Sequence, residues 1–145
     1  MSVQAGPNLI ENGLRVSYDA GNIRSYPGSG NTLFSLNGRE SATATTISTA
    51  IDSNSGIILN HNTSTSVSIT LSPVVNHEVW SIMFWVRSTG LTSSNYRSIL
   101  TLDDTNSAHN YFYNGNQSIC RVYNRALSAA EISQNFNALR GRYGV

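Results

Sequence analysis

The sequence predicts an all-β fold, an antiparallel β-sandwich formed by a single domain spanning residues 1–145, with one short C-terminal α-helix. Ser, Thr and Asn number 22, 12 and 17, a composition that favours hydroxyl-rich strands and Asn-rich turns over helices. Several stretches alternate apolar and polar side chains, which is the period of a β-strand. Helical spacing is clear only in the last stretch, LSAAEISQNFNALRG.

The first predicted strand covers residues 14–19, where Leu, Val and Tyr alternate with polar residues as in a half-buried strand. The following DAGNIRSYPGSG is rich in glycine and predicts a turn-rich loop. Leu33–Gly38 predicts a short strand that ends in a hairpin-type Asn-Gly pair. Arg39–Ser55 is polar and Thr-rich, which predicts a weak edge strand or a long loop.

The middle of the chain predicts the core. Ile57–Leu59 and Val67–Leu71 predict two strands joined near Asn60–Ser64. Glu78–Arg87 is the most apolar segment, with Trp80, Ile82, Phe84 and Val86 on one face and Val79, Met83 and Trp85 on the other. Such a segment is typical of a central strand that is covered on both faces. Arg97–Leu102 predicts a further strand that ends in an Asp-rich turn.

The C-terminal helix has recognisable start and stop signals. Ser128 and Glu131 have the spacing of a capping box. Ile132, Phe136 and Leu139 form a stripe that predicts the face buried against the core, with Phe136 inserted under the sandwich. Gly141 predicts the left-handed residue at which the helix ends.

Both ends of the chain resemble one family. GLRVSYDAGNIRSYPGSG and RVYNRALSAAEISQNFNALRGRYGV resemble the opening and the closing segment of concanavalin A-like lectin/glucanase domains of the laminin-G-like type, in the versions found on phage and bacterial surface proteins. The resemblance implies a jelly-roll sandwich. It also implies a non-catalytic carbohydrate-binding or structural module, a phage virion or tail-fibre component that contacts cell-surface glycans. The alternatives are a ligand-free oligomerisation or decoration domain and, third, a glycan hydrolase.

The second half of the chain departs from that family. Members usually carry several more strands before the closing segment, where this chain has only Ser107–Tyr113. A sandwich shortened in this way leaves strand edges and apolar faces open, and the chain has no lysine to protect such edges. We therefore expect a homo-oligomer, a dimer or trimer, in which the subunits cover one another.

The candidate ligand-binding residues surround the Asp-rich turn, because sugar binding needs aromatic faces together with amide or carboxylate edges. They are Asp103, Asp104, Asn106, Tyr111, Tyr113 and Asn114. Tyrosines that cap the core or line a subunit interface are the alternative interpretation. No cofactor is expected; calcium is the alternative, since Asp103, Asp104 and Asn106 offer oxygen ligands and relatives often bind this ion.

Other functions are disfavoured by composition and spacing. No strand carries the alternating carboxylates that glucanases of this superfamily use, so no catalytic residue is assigned. The three histidines are isolated, which disfavours a zinc site. A net charge of +1 gives no nucleic-acid footprint, and Val79–Val86 is too short to span a bilayer. The N-terminus has no signal-peptide pattern, so we expect a virion or extracellular surface location reached by another route.

Overall fold

The computed structural model describes residues 8–30, 32–38, 41–44, 50–52, 56–59, 67–69, 79–88 and 115–144. The elements in these ranges are β1 Leu14–Asp19, β2 Thr32–Phe34, β3 Ser41–Ala44, β4 Ala50–Asp52, β5 Gly56–Leu59, β6 Val67–Ile69, β7 Ser81–Ser88, β8 Gly115–Tyr123 and α1 Ala129–Tyr143. Every described strand pair is antiparallel. The fold is therefore mostly antiparallel sheet with one C-terminal helix. The strand predicted at Arg97–Leu102 and the segment Ser107–Tyr113 lie outside the described residues.

The larger sheet is built around β8. On one side β8 pairs with β7 along its whole length. On the other side it pairs with β1 through residues 119–123 and with β5 through residues 115–117, and β4 follows β5. Among the described strands, β8 has partners on both sides, and the most apolar segment, β7, pairs with it.

The smaller sheet has the order β2-β3-β6. The two strands predicted in Ile57–Leu71 are present as β5 and β6. They belong to different sheets, however, since β5 pairs with β4 and β8 whereas β6 pairs with β3. The connection between them is therefore a crossover from one sheet to the other and not a hairpin.

One face of the larger sheet forms the apolar core. Alternate residues of β1 and β8 point to this face and pack with residues from the loop after β1 and from β2; they are Val16, Tyr18, Ala20, Cys120, Val122, Tyr26 and Leu33. Ile82 and Phe84 of β7, and Trp80 just before it, pack against the cluster, as predicted. Val86 does not, and is exposed, because the β7–β8 register shifts between Trp85 and Val86.

Strand β1 is buried on both faces, which corrects the prediction of a half-buried strand. Val16 and Tyr18 enter the core, while Ser17 and Asp19 are buried on the opposite face. The polar side chains of this second face are tolerated because each has hydrogen-bonding partners, such as Arg121 for Ser17 and Arg142 for Asp19. Alternation therefore predicted the strand correctly but not the burial of its polar face.

The free edge of β1 is covered by side chains of the segment that follows it. The Ser35 hydroxyl accepts a hydrogen bond from the Ser17 N–H (2.9 Å), and the Ser25 hydroxyl accepts one from the Asp19 N–H (3.1 Å). The Asn37 amide donates to the Arg15 carbonyl oxygen (2.7 Å). These bonds replace the ladder of a neighbouring strand and satisfy backbone groups that would otherwise be buried without partners.

Helix α1 begins with the predicted capping box. Ser128 is the N-cap, its hydroxyl accepts a hydrogen bond from the Glu131 N–H, and the Glu131 carboxylate accepts one from the Ser128 N–H. The helix ends later than predicted: Gly141 lies within it, and the left-handed residue is Gly144, with a φ of 71°. The extra turn places Arg142 and Tyr143 on the helix. Within the described ranges, no helix has the length and apolar character needed to cross a membrane.

The N-terminal cap makes stability depend on pH. The hydrogen bonds from the Arg125 guanidinium and, second, from the Ser128 backbone lower the pKa of Glu131 to about 2. In the unfolded chain the pKa of this carboxyl is about 4.3. The contribution of ionised Glu131 to folding stability is therefore complete above that pH and is lost as the pH falls towards 2. We expect Glu131→Gln to flatten the acid side of the stability profile, measured by urea unfolding between about pH 2.5 and 5. Parallel profiles for both proteins would contradict this expectation.

The buried stripe of α1 differs from the predicted one. Leu139 is buried as predicted, but Ile132 is 50% exposed and Phe136 is 44% exposed. The fully buried residue is Asn135, a polar side chain one turn before Leu139. The helix is rotated from its predicted orientation because Asn135 has polar partners on the sheet, whereas Phe136 lies at the margin of the contact.

Candidate functional site

The six residues predicted to bind a ligand, Asp103, Asp104, Asn106, Tyr111, Tyr113 and Asn114, all lie outside the described residues. The same holds for the three histidines. In the part of the chain that the structure describes, no three His, Cys, Asp or Glu side chains are grouped in a way that suits a metal ion. The candidate site described below is therefore a different one, on the face of the larger sheet that α1 covers.

A buried amide fixes α1 to this face. The Asn135 Nδ2 donates to the Tyr123 hydroxyl (3.1 Å) and contacts the Met83 Sδ (3.3 Å), and its Oδ1 accepts a hydrogen bond from the Ile10 N–H (2.9 Å). The Tyr123 hydroxyl donates in turn to the Ile10 carbonyl oxygen (3.1 Å). One side chain therefore joins the helix, β7, β8 and the segment before β1.

An aromatic stack lies beside this anchor. The Trp85 indole is 5.6 Å from the Phe136 ring, with an angle of 11° between the planes, and 4.5 Å from the Tyr143 ring, with an angle of 16°. Phe136 and Tyr143 are seven residues apart, about 10.5 Å along the helix. Trp85 therefore stacks with two aromatic rings of α1. Phe136 is then held on one face and remains partly open to solvent.

An arginine continues the stack at the end of α1. The Arg142 guanidinium lies over the Tyr143 ring, 5.6 Å from its centroid, and its Nη1 donates to the Asp19 Oδ2 at 2.5 Å. Asp19 Oδ1 also accepts a hydrogen bond from the Gly21 N–H (3.1 Å). The Asp19 carboxylate is almost fully buried, while the Arg142 side chain is 40% exposed. The ion pair therefore has one protected and one accessible member.

A second arginine lies beneath the first. Arg121 is 1% exposed, its Nε donates to the Ser17 hydroxyl (3.3 Å), and its Nη1 has no hydrogen-bond acceptor among the described residues. Burial lowers the pKa of Arg121 from its ordinary value, and the negative charge of Asp19 acts in the opposite direction. An arginine remains charged even so, because its ordinary pKa is far above neutrality. The Asp19 charge thus acts on two guanidinium groups.

Neighbouring ionisable groups are neutral near pH 7. Burial raises the pKa values of Tyr123 and Tyr143 above their ordinary range. Burial also raises the pKa of Cys120 to about 12, so its thiol is protonated and unreactive. Cys120 is a small buried residue of the apolar core.

We call Trp85, Phe136, Tyr143, Arg142, Asp19 and Arg121 the aromatic–arginine cluster. Sequence reasoning assigned these residues to a strand, a helix and a loop but did not bring them together. A partial signal exists, since Asp19 and Arg142 lie in the DAGN and RGRYG segments at the two ends of the chain. Their pairing across 123 residues depends on the docking of α1 beside β1.

The close approach of Arg142 to the loop after β1 requires a glycine. A Cβ atom on Gly21 would lie 1.7 Å from the Arg142 Nη2, so Gly21→Ala should displace the guanidinium from Asp19. We expect a loss of about 0.5–1.5 kcal/mol in the free energy of unfolding, because the pair is partly exposed. Gly141→Ala is the matched control, since nothing lies within 4 Å of its Cβ position; it should stabilise α1 by about 0.5–1 kcal/mol. Equal effects of the two substitutions in urea unfolding would contradict the contact.

Comparison of the chain with models of known protein families, with curated proteins and with solved structures finds no match.

Proposed function

We propose that this chain is a non-catalytic carbohydrate-binding module of the concanavalin A-like, laminin-G-like type, located on a phage virion or tail fibre and contacting cell-surface glycans. The resemblance of both ends of the chain to that family supports the proposal. We propose also that the two sheets are the two layers of a shortened jelly-roll sandwich. Leu33 supports this arrangement, because it extends from the smaller sheet into the core of the larger one.

The observation that carries the proposal is the aromatic–arginine cluster. Protein sites for sugars combine apolar ring faces with a few fixed polar groups. Phe136 offers a partly exposed ring that Trp85 holds in place, and Arg142 offers donors close to Tyr143. The rings lose little conformational freedom on binding because they are already stacked.

The carboxylates near the cluster support binding without catalysis. A retaining glycosidase needs two carboxyl groups about 5–5.5 Å apart, one of them able to donate a proton. In the described residues around the cluster, Asp19 is paired with Arg142 and Glu131 with Arg125. Both carboxylates are hydrogen-bonded to arginine side chains, which suits a structural role. Incubation with polysaccharides should release no reducing sugar; such release would overturn this part of the proposal.

The direct test is a glycan array followed by affinity electrophoresis in gels that contain each polysaccharide bound on the array. We expect retardation by at least one glycan and a loss of about fivefold to tenfold in affinity for Phe136→Ala, the size expected for one aromatic contact. Phe34→Ala is the matched control, because Phe34 is exposed to a similar degree but lies on β2. No retardation by any glycan, or equal losses for both variants, would argue against glycan binding at the cluster.

A ligand-free oligomerisation or decoration domain is the second candidate, and exposed apolar side chains favour it. The large hydrophobic residues exposed in the described ranges are Ile23, Phe34, Val79, Val86, Ile132 and Phe136. Surfaces of this kind are often covered by a partner. We propose a homo-oligomer on this basis, and light scattering at micromolar concentration tests it. A folded monomer whose unfolding midpoint does not change with concentration would overturn the proposal.

A further inference from the structure

The charges of the aromatic–arginine cluster are unbalanced. Two guanidinium groups, those of Arg121 and Arg142, share one carboxylate, that of Asp19. The nearby tyrosines do not compensate, because burial raises their pKa values and keeps them neutral. The cluster therefore carries one net positive charge, and among its three charged side chains Arg142 is the one exposed to solvent.

Arg121 makes this excess charge permanent. It is 1% exposed, so solvent and salt screen it weakly, and within the described ranges its Nη1 is a buried donor without an acceptor. A buried guanidinium without a balancing negative charge destabilises the folded state unless an anion comes close. Asp19 does not fully balance the charge of Arg121, since its carboxylate oxygens accept hydrogen bonds from Arg142 and from the Gly21 N–H.

Arg142 is the member that a ligand can reach. Its side chain is 40% exposed, and the described part of the chain bonds only its Nη1 to an acceptor. Its remaining N–H groups can receive a carboxylate or sulfate in the paired geometry that guanidinium groups favour. Stacking on Tyr143 and contact with Asp19 fix the orientation of the side chain, so it needs little reordering to bind.

We propose that the cluster binds anionic glycans, with a carboxylate or sulfate group of the sugar held by Arg142 and a sugar ring packed on Phe136. This inference rests on the proposed glycan-binding function and adds the chemical class of the ligand. Arg121 does not touch the sugar; it is a positioning residue, and its buried charge near Asp19 leaves the cluster with one positive charge in excess of its carboxylate.

The test compares one polymer with and without its charges. Polygalacturonate should bind the protein at least tenfold more tightly than the same polymer after full methyl esterification, since esterification removes only the carboxylate charge. Dextran sulfate against dextran separates sulfate from carboxylate recognition. Raising the NaCl concentration should weaken binding of the charged polymers and leave the neutral ones unaffected.

Variants locate the site. Arg142→Gln should lower the affinity for the preferred anionic polymer by about 10- to 100-fold, the size of a charge-assisted hydrogen bond. Arg140→Gln, which removes an exposed arginine from the same helix, should change it less than about twofold. Asp19→Asn removes the competing carboxylate and should strengthen anionic binding severalfold even if it lowers stability, an effect that a purely structural role would not produce.

The outcomes separate this inference from the function on which it rests. Equal affinity for the charged and esterified polymers, or binding of neutral glycans alone, would overturn the inference and leave glycan binding intact. Equal losses for Arg142→Gln and Arg140→Gln would place anion recognition outside the cluster. Absence of binding to all glycans would overturn the proposed function together with the inference.

Discussion

Leu33→Ala is expected to lower the free energy of unfolding by about 2–5 kcal/mol, the range measured for large-to-small changes in closely packed cores. Leu33 is 1% exposed and belongs to the same cluster as Val16, Tyr18 and Val122. It comes from the smaller sheet, whereas those three residues belong to the larger one. A cavity at this position therefore weakens the contact between the two sheets and cannot be closed by a movement within one of them.

Phe34→Ala is the control for this prediction. Phe34 is the next residue of β2, is 47% exposed and points away from the cluster, so its loss should cost clearly less than that of Leu33. Urea unfolding of the three proteins, followed by tryptophan fluorescence, compares the free energies directly. A Leu33→Ala effect below about 1 kcal/mol would mean that β2 does not pack on the larger sheet through this residue.

Asn135→Ala is expected to cost about 2–4 kcal/mol although it removes only a small polar group. Asn135 is 0% exposed, and the truncation removes the acceptor of the Ile10 N–H and the donor to the Tyr123 hydroxyl. A buried donor or acceptor that loses its partner costs about 1–3 kcal/mol. The same change releases the segment before β1 from the helix, so hydrogen exchange at the Ile10 amide should become faster.

Asn137→Ala provides the matched comparison. Asn137 is exposed on the same helix and bonds only to the Ser133 hydroxyl at 3.4 Å, so its removal should change stability by less than about 0.5 kcal/mol. If the two asparagine variants were equally stable, the amide of Asn135 would not be the group that fixes α1. An unchanged exchange rate at Ile10 would lead to the same conclusion.

The polar docking of α1 has a consequence for the candidate site. Because Asn135 and Leu139 occupy the buried positions, Ile132 and Phe136 are turned towards the margin of the helix. A helix docked through the predicted stripe would instead have buried Phe136 and removed it from any ligand. The partial exposure of the Phe136 ring thus depends on the polar contacts of the neighbouring Asn135. The docking of the helix and the proposed binding surface are therefore linked within one turn of α1.

Much of the fold could be predicted from local sequence patterns. The period-two alternation in residues 14–18 and 82–84 predicted β1 and β7 and the residues that enter the core. The Ser128–Glu131 spacing predicted the capping box, which forms as expected. These predictions succeeded because strand alternation and helix capping depend on residues a few positions apart.

Other predictions failed where the decision depends on distant residues. Ser17 and Asp19 were expected on an exposed face but are buried, because Arg121 and Arg142 are hydrogen-bonded to them across more than 100 residues. Gly141 was expected to end α1, but the helix continues for another turn, in which Arg142 and Tyr143 contact Asp19 and Trp85. Tertiary contacts of this kind commonly override local propensity.

The sequence by itself determined that this chain forms antiparallel strands, a capped C-terminal helix and a core built from alternate apolar residues, since each depends on local periodicity or spacing. Only the tertiary structure decided which strand is central, which face of α1 is buried and which arginine meets Asp19. Those choices depend on polar partners far apart in the chain, whose buried hydrogen bonds must all be satisfied together. The sequence shows each of these polar residues but does not show which distant residue it contacts.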